Sequence, residues 1–154
     1  MRGDSPLNSL ADLKGRKLEA PDEDSITSVI VRAVLRDAGL GGNQVDVAYT
    51  RYQDAVPFSV ENRLMQAGAT ASAEVVEAWV AKGGGVLAKS RTVPIKHIIA
   101  GPSLSADEID KVRAYFLALA ASDDGRKRLE PTRYAGFESH DEAALLAIGK
   151  WLGP

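Results

Sequence analysis

Apolar positions along the chain recur alternately about every two and about every 3.6 residues, which is typical of an α/β protein. A short strand is predicted over residues 17–20 and is stopped by Pro21. The segment 25–38 carries apolar residues at helical spacing, and Gly39 follows where a helix ends. Residues 45–50 then alternate as a second strand does.

The same alternation continues to about residue 92. It predicts a helix over 57–67, a brief buried strand over 69–72, a helix from Ser72 that ends at the glycine run 83–85, and a strand over 86–89. Strands and helices in this order favour a mainly parallel open sheet with flanking helices and right-handed crossovers.

The pattern changes after Pro94. It predicts a strand over 95–100, a helix over 106–122 opened by the capping box of Ser105 and Glu108 and ended at Asp123-Asp124-Gly125, and a helix over 141–152 opened by Ser139 and Glu142. We therefore predict an α/β unit over residues 1–92, followed by one strand and helices over residues 93–154.

Composition narrows the function classes. The chain has 154 residues, which suits one domain, and its formal net charge of -2 comes from interspersed charges. No basic face is evident, so nucleic acid is not an expected partner. The absence of cysteine excludes disulfides and thiolate chemistry. Residues 1–12 lack the apolar stretch of a secretory signal, which indicates either a cytoplasmic protein or a mature or truncated chain.

The strongest chemical feature is the segment PDEDSITS at a strand–helix junction. Ser25, Thr27 and Ser28 place hydroxyls beside free backbone N–H groups, where the helix dipole favours an anion. The alternative is that Ser25 is only a helix cap, and both roles are compatible. The acidic residues 22–24 would repel a dianion unless they point away.

Weaker candidates follow the next two strands. Thr50 and Tyr52 come at the carboxyl end of a predicted parallel strand, the usual ligand edge of open α/β sheets, and Thr70 has a similar place on the next strand. His97 and His140 have no partners at ligand spacing, so we interpret both as structural. No catalytic, nucleotide-binding or metal-binding motif occurs, so we expect a binding protein that is not an enzyme and has no cofactor or metal.

Five segments resemble, in order, the later part of the phosphate- and phosphonate-binding substrate-binding proteins of ABC importers: LADLKGRKLEAP, DSITS, VENRLMQAGATAS, VLAKSRTVPIKHIIAGPSLS and DDGRKRLEPTRYAGF. The resemblance implies the second lobe of a type II periplasmic binding protein, with residues 93–154 belonging to the other lobe. It also implies a small oxyanion ligand such as phosphate or phosphonate, an ABC permease as partner and a periplasmic location. The alternative is a sensory or regulatory domain of the same fold without a transporter.

Three departures from the family pattern matter. The family often has Ser-Thr-Ser-Gly where this chain has Ser25 to Ser28, and its G-x-A-D segment is here Gly68 to Ala71 without the aspartate. These two differences leave the identity of the ligand undetermined. The family's opening segment also has no counterpart here, which would leave the apolar strand 95–100 unpaired. We predict a missing N-terminal segment or a homodimer through residues 93–154.

Overall fold

The computed structural model describes residues 1–52, 54–94, 96–139 and 141–153. The chain divides into two compact units, Met1–Val93 with Ile148–Pro154, and Pro94–Ala147. The first unit holds a sheet with helices around it, and the second is helical in its regular parts.

The sheet of the first unit has three strands, β1 (Lys17–Pro21), β2 (Asp46–Thr50) and β3 (Ala67–Gly68), in the order β2-β1-β3. Both pairings are parallel, and Glu19 of the central strand lies opposite Ala48 and Gly68. Parallel strands require crossover connections, and helices supply both of them here. The predicted α/β class with a mainly parallel open sheet is confirmed.

Among the described residues, three α-helices lie wholly in the first unit: α1 (Ile26–Asp37), α2 (Ala55–Glu61) and α3 (Ala73–Ala81). Ser25 and Ser72 cap α1 and α3 by accepting from the amides of Ser28 and Val75 at 3.2 and 3.3 Å. Gly39 follows α1 with φ of 75°, a left-handed conformation that glycine adopts without strain. Local capping chemistry thus sets the limits of α1.

Three further helices follow: α4 (Ala106–Ala118), α5 (Asp123–Leu129) and α6 (Glu142–Leu152), whose last residues belong to the first unit. The predicted capping box of α4 is confirmed, because Glu108 accepts from the Ser105 amide at 2.8 Å. The hydrogen bond that the Ser105 hydroxyl donates to Glu108 at 2.7 Å, together with the one from the Ser105 amide, holds the pKa of Glu108 below its ordinary value. No described helix is long and apolar enough to cross a bilayer.

Two predicted strands are wrong. Residues 86–89 form no strand, although Leu87 packs against the core, and residues 96–100 are irregular and exposed. Ile95 lies outside the described residues. A short apolar run has the composition of a buried strand, but a strand forms only where a neighbouring backbone accepts its hydrogen bonds. The short strand predicted at 69–72 lies two residues earlier, at β3.

The helix limits also differ from prediction in three places. The helix predicted over 57–67 ends at Glu61, and Arg63 then takes a left-handed φ of 62°. Residues 123–125 begin α5 instead of ending α4, because Ser122 accepts from the Gly125 amide at 3.1 Å. Asp141, in place of Ser139, accepts from an amide of the first turn of α6, that of Ala144, at 2.9 Å.

The two faces of the sheet differ in polarity. The core lies on the face that carries Leu18, and its buried members are Leu7, Leu13, Leu18, Leu35, Leu40, Val45 and Ala67. Side chains alternate along a strand, so Glu19 points to the other face. Gly68 shares that face, where a Cβ would lie 2.5 Å from Val56 of α2. Glu19 is therefore enclosed on the α2 side of the central strand.

Glu19 carries a buried carboxylate. The residue is 8% exposed, and its Oε2 has no hydrogen-bond partner among the described residues. Because burying a polar oxygen without a hydrogen-bond donor is costly, we expect Glu19→Met to raise the free energy of unfolding by about 1–3 kcal/mol. Urea unfolding measures this, with Glu23→Met in the exposed loop as the matched control. A less stable Glu19→Met protein would contradict the expectation.

Candidate functional site

The strand order places a crevice at the carboxyl edge of the sheet. The chain leaves central β1 through α1 to reach β2 on one side, and then crosses through α2 to β3 on the other. Ligands of open α/β sheets bind outside the carboxyl ends of strands where the order reverses in this way. The segments that begin after Pro21 and Gly68 therefore form the candidate site.

Two of the three serine and threonine hydroxyls at the start of α1 are used internally. The Ser25 hydroxyl accepts from the Ser28 amide and lies 3.2 Å from the Ser28 hydroxyl. The Ser28 hydroxyl donates to the Pro21 carbonyl at 2.8 Å, and Ser28 is 1% exposed. Ser28 therefore ties the helix start to the end of β1, and its hydroxyl has no access to solvent.

The backbone amides of Ile26 and Thr27 are the unsatisfied hydrogen-bond donors at the start of α1. The first helical bond runs from the Val29 amide to the Ser25 carbonyl at 3.1 Å, and the Ile26 and Thr27 amides have no acceptor within the described chain. The first turn of α1 contains no acidic residue. Unpaired amides and the positive end of the helix dipole together favour an anion at this point.

The loop between β3 and α3 brings a second group of hydroxyls to the same place. Thr70 Oγ1 accepts from the Ser72 amide at 3.1 Å, and this bond shapes the turn into α3. Thr70, Ser72 and Thr27 all line one cavity of about 540 Å³. Thr27 and Thr70, from segments that follow two different strands, therefore line the same cavity.

The cavity walls are mainly apolar. Side chains from β1, α1, α2, α3 and the segment after α3 form them, among them Leu18, Val31, Val34, Val56, Val60, Val75, Val76 and Leu87. Two charged side chains, Glu77 and Lys89, also line the cavity, and both are exposed. The arrangement offers polar donors for an anionic group and apolar surface for an organic one.

The other predicted site residues lie outside the cavity lining. Thr50 Oγ1 accepts from the Tyr52 amide at 3.3 Å, and Tyr52 is 73% exposed at the end of β2. Ser25 and Ser28 serve the cap of α1, as described above. A direct ligand contact by any of Ser25, Thr27, Ser28, Thr50, Tyr52 and Thr70 stays a prediction.

The acidic loop before α1 is exposed at Asp22, Glu23 and Asp24. Asp22 Oδ2 lies 3.7 Å from Arg51 Nε, which joins the loops after β1 and β2. Both side chains are at least half exposed, so solvent screens the pair and it contributes little to stability. Asp22 thus has a cationic partner outside the cavity lining.

Glu77 and Lys89 line the cavity but were not predicted from the sequence as site residues. Lys89 belongs to the segment predicted as a strand, and Glu77 lies on a helix predicted only for its apolar face. Nothing in their local spacing connects them, because the cavity forms between segments distant in sequence. Within the described ranges, no cluster of residues suited to holding a metal ion is found. His140 lies outside those ranges.

A family model for the periplasmic phosphonate substrate-binding proteins of ABC transporters matches residues 1–145. The chain belongs to this family. The resemblance predicted from the five sequence segments is confirmed, and the small parallel sheet with flanking helices agrees with part of a type II periplasmic binding lobe. No curated protein sequence matches the chain. Phosphonate-binding proteins of this kind bind ligands and in general catalyse no reaction.

Proposed function

We propose that the chain is the ligand-binding part of an ABC importer's substrate-binding component, and that it binds an organophosphonate in the cavity beside α1. On this proposal it works in the periplasm and delivers the ligand to an ABC permease. Residues 1–92 form the ligand-binding lobe, and residues 93–154 are the return segment and helices of the other lobe. The unpaired amides and hydroxyl at Ile26 and Thr27 carry the proposal.

The phosphonate group is held by backbone and hydroxyl donors. Its oxygens accept from the amides of Ile26 and Thr27, with the hydroxyls of Thr27 and Thr70 on the cavity side. Such donors at a helix start bind an anion without a paired cation. Lys89 adds a positive charge to the cavity wall and has no ion-pair partner within the described chain.

The size and polarity of the cavity favour an organic phosphonate over a bare oxyanion. A volume of about 540 Å³ lies in the range of small-molecule pockets, well above the needs of one tetrahedral anion. Valines of α1, α2 and α3 line it, and apolar surface of this kind stabilises a carbon substituent. The ligand that fits best has an anionic head and an apolar tail.

Calorimetric titration of the full chain tests this proposal with phenylphosphonate, methylphosphonate, inorganic phosphate and sulfate. Burying an aromatic ring contributes about 1.5–3 kcal/mol, so we expect phenylphosphonate to bind roughly 10- to 100-fold more tightly than methylphosphonate. Equal affinities for the two phosphonates would contradict the proposal that the apolar wall binds an organic substituent of the ligand. No binding of any of the four anions would remove the phosphonate-binding function itself.

A further inference from the structure

Two side chains of opposite charge interrupt the mainly apolar wall of the cavity beside α1. Glu77 belongs to α3, and Lys89 belongs to the segment that follows α3. Among the described residues that line the cavity, no other side chain is charged, and both residues lie in the first unit. The cavity wall therefore presents one negative and one positive charge to a bound molecule.

Neither charge is neutralised by the protein. Within the described chain, the Glu77 carboxylate and the Lys89 ammonium form no hydrogen bond and no ion pair, with each other or with another residue. The carboxylate thus keeps its capacity to accept hydrogen bonds, and the ammonium keeps its capacity to donate them. A ligand that satisfies both groups must itself carry a cation and an anion.

The position of Glu77 on α3 separates it from the hydroxyl of Thr70. The helix begins at Ala73, and a rise of about 1.5 Å per residue puts Glu77 roughly 6 Å further along the helix axis. Val75 and Val76 line the cavity within this stretch of α3. A ligand whose phosphonate is held beside Thr70 therefore has apolar surface next to it before its substituent reaches Glu77.

We propose that the cavity selects phosphonates whose carbon substituent ends in an amino acid group, with Glu77 accepting from the ammonium and Lys89 donating to the carboxylate. This inference rests on the proposed function and names the substrate class of the same cavity. A substituent with only an amine pairs with Glu77 but is repelled by Lys89, and one with only a carboxylate meets the reverse. Specificity for the zwitterion thus comes from repulsion of the competing ligands as well as from attraction.

Calorimetric titration of the full chain with four ligands built on one ring tests this assignment. Phenylphosphonate is the reference, and its para derivatives carry an amino acid group (4-phosphonophenylglycine), an aminomethyl group or a carboxyl group. Because ion pairs of exposed side chains are weak, we expect 4-phosphonophenylglycine to bind about 3- to 10-fold more tightly than phenylphosphonate. We expect the two singly charged derivatives to bind about as tightly as phenylphosphonate, since attraction and repulsion offset each other.

Two substitutions are expected to change the preference in opposite directions. Glu77→Gln leaves Lys89 and should favour the carboxyl derivative, whereas Lys89→Gln leaves Glu77 and should favour the aminomethyl derivative. Each affinity is taken relative to phenylphosphonate in the same variant, which removes any effect on the phosphonate group itself. Lys82→Gln is the matched control, because Lys82 is exposed at the end of α3 and outside the cavity lining, and we expect it to keep the parent's order of affinities.

The possible failures of the two proposals differ. Equal binding of phenylphosphonate and 4-phosphonophenylglycine by the parent chain would overturn the amino acid assignment and leave the phosphonate function standing. The same order of the three derivatives in the parent, Glu77→Gln and Lys89→Gln would also overturn it, because the substituent would then lie away from both charges. Absence of binding by phenylphosphonate and all three derivatives would overturn the proposed function and this inference with it.

Discussion

Thr27→Glu is expected to lower the affinity for phenylphosphonate at least about 100-fold, because it removes a hydroxyl donor and adds a negative charge beside the anion. Thr27 is the second residue of α1 and lines the cavity. An acidic side chain in the first turn of a helix interacts favourably with the dipole, so the substitution does not weaken the helix. Loss of binding is therefore separable from loss of folding.

The measurement is calorimetric titration of the full chain, with helical content followed by circular dichroism. Ala114→Glu is the matched control, since Ala114 is exposed on α4 and the variant has the same net charge. We expect that control to bind as the parent does. Unchanged affinity in Thr27→Glu would place the anion elsewhere and return the start of α1 to the role of a plain helix cap.

Gly125→Ala is expected to destabilise the second unit by about 3 kcal/mol, although alanine is the better helix former. Gly125 is buried in the first turn of α5, and a Cβ there would lie 1.9 Å from the Leu119 carbonyl oxygen. Backbone cannot rotate away as a flexible side chain does, so the helix must shift. The steric cost therefore exceeds the gain in helix propensity of about 1 kcal/mol.

Gly149→Ala is the matched control, because the same substitution at this position is expected to change stability in the opposite direction. Gly149 lies inside α6, where an added Cβ has no neighbour within 4 Å in the described structure. We expect that variant to be more stable by about 0.5–1 kcal/mol. Hydrogen exchange resolved by peptide assigns each effect to its unit. A Gly125→Ala protein with unchanged protection of α5 would show that the contact with Leu119 relaxes at no cost.

Local signals predicted the regular elements best. Ser25 and Gly39 bracket α1, the alternation over 45–50 became β2, and Ser105 with Glu108 opened α4. Each of these signals acts between residues a few positions apart, through a cap, a turn or a periodic face. Because the interacting residues are neighbours in the sequence, their pattern can be recognised without a structure.

Pairing between distant segments was not predictable in the same way. Residues 86–89 read as a strand, but no backbone among the described residues pairs with them, and they line the cavity instead. The run Asp123-Asp124-Gly125 reads as a helix end, yet it starts α5 because Ser122 accepts from the Gly125 amide. The first outcome depended on whether a distant backbone pairs with the segment, and the second on which of several neighbouring polar residues caps a helix.

The sequence by itself determined the α/β class and the family, and it predicted the hydroxyl-rich start of α1 as the place for an anion. Only the tertiary structure decided which hydroxyls are accessible there, because Ser28 turns inward to the Pro21 carbonyl while Thr27 faces the cavity. It alone also placed Thr27 and Thr70 on the wall of one cavity, and bonded Asp37 to Trp151 across 114 positions of sequence. The physical reason is that local hydrogen bonds and periodicity are encoded in short segments, whereas cavities and long-range contacts exist only after those segments pack.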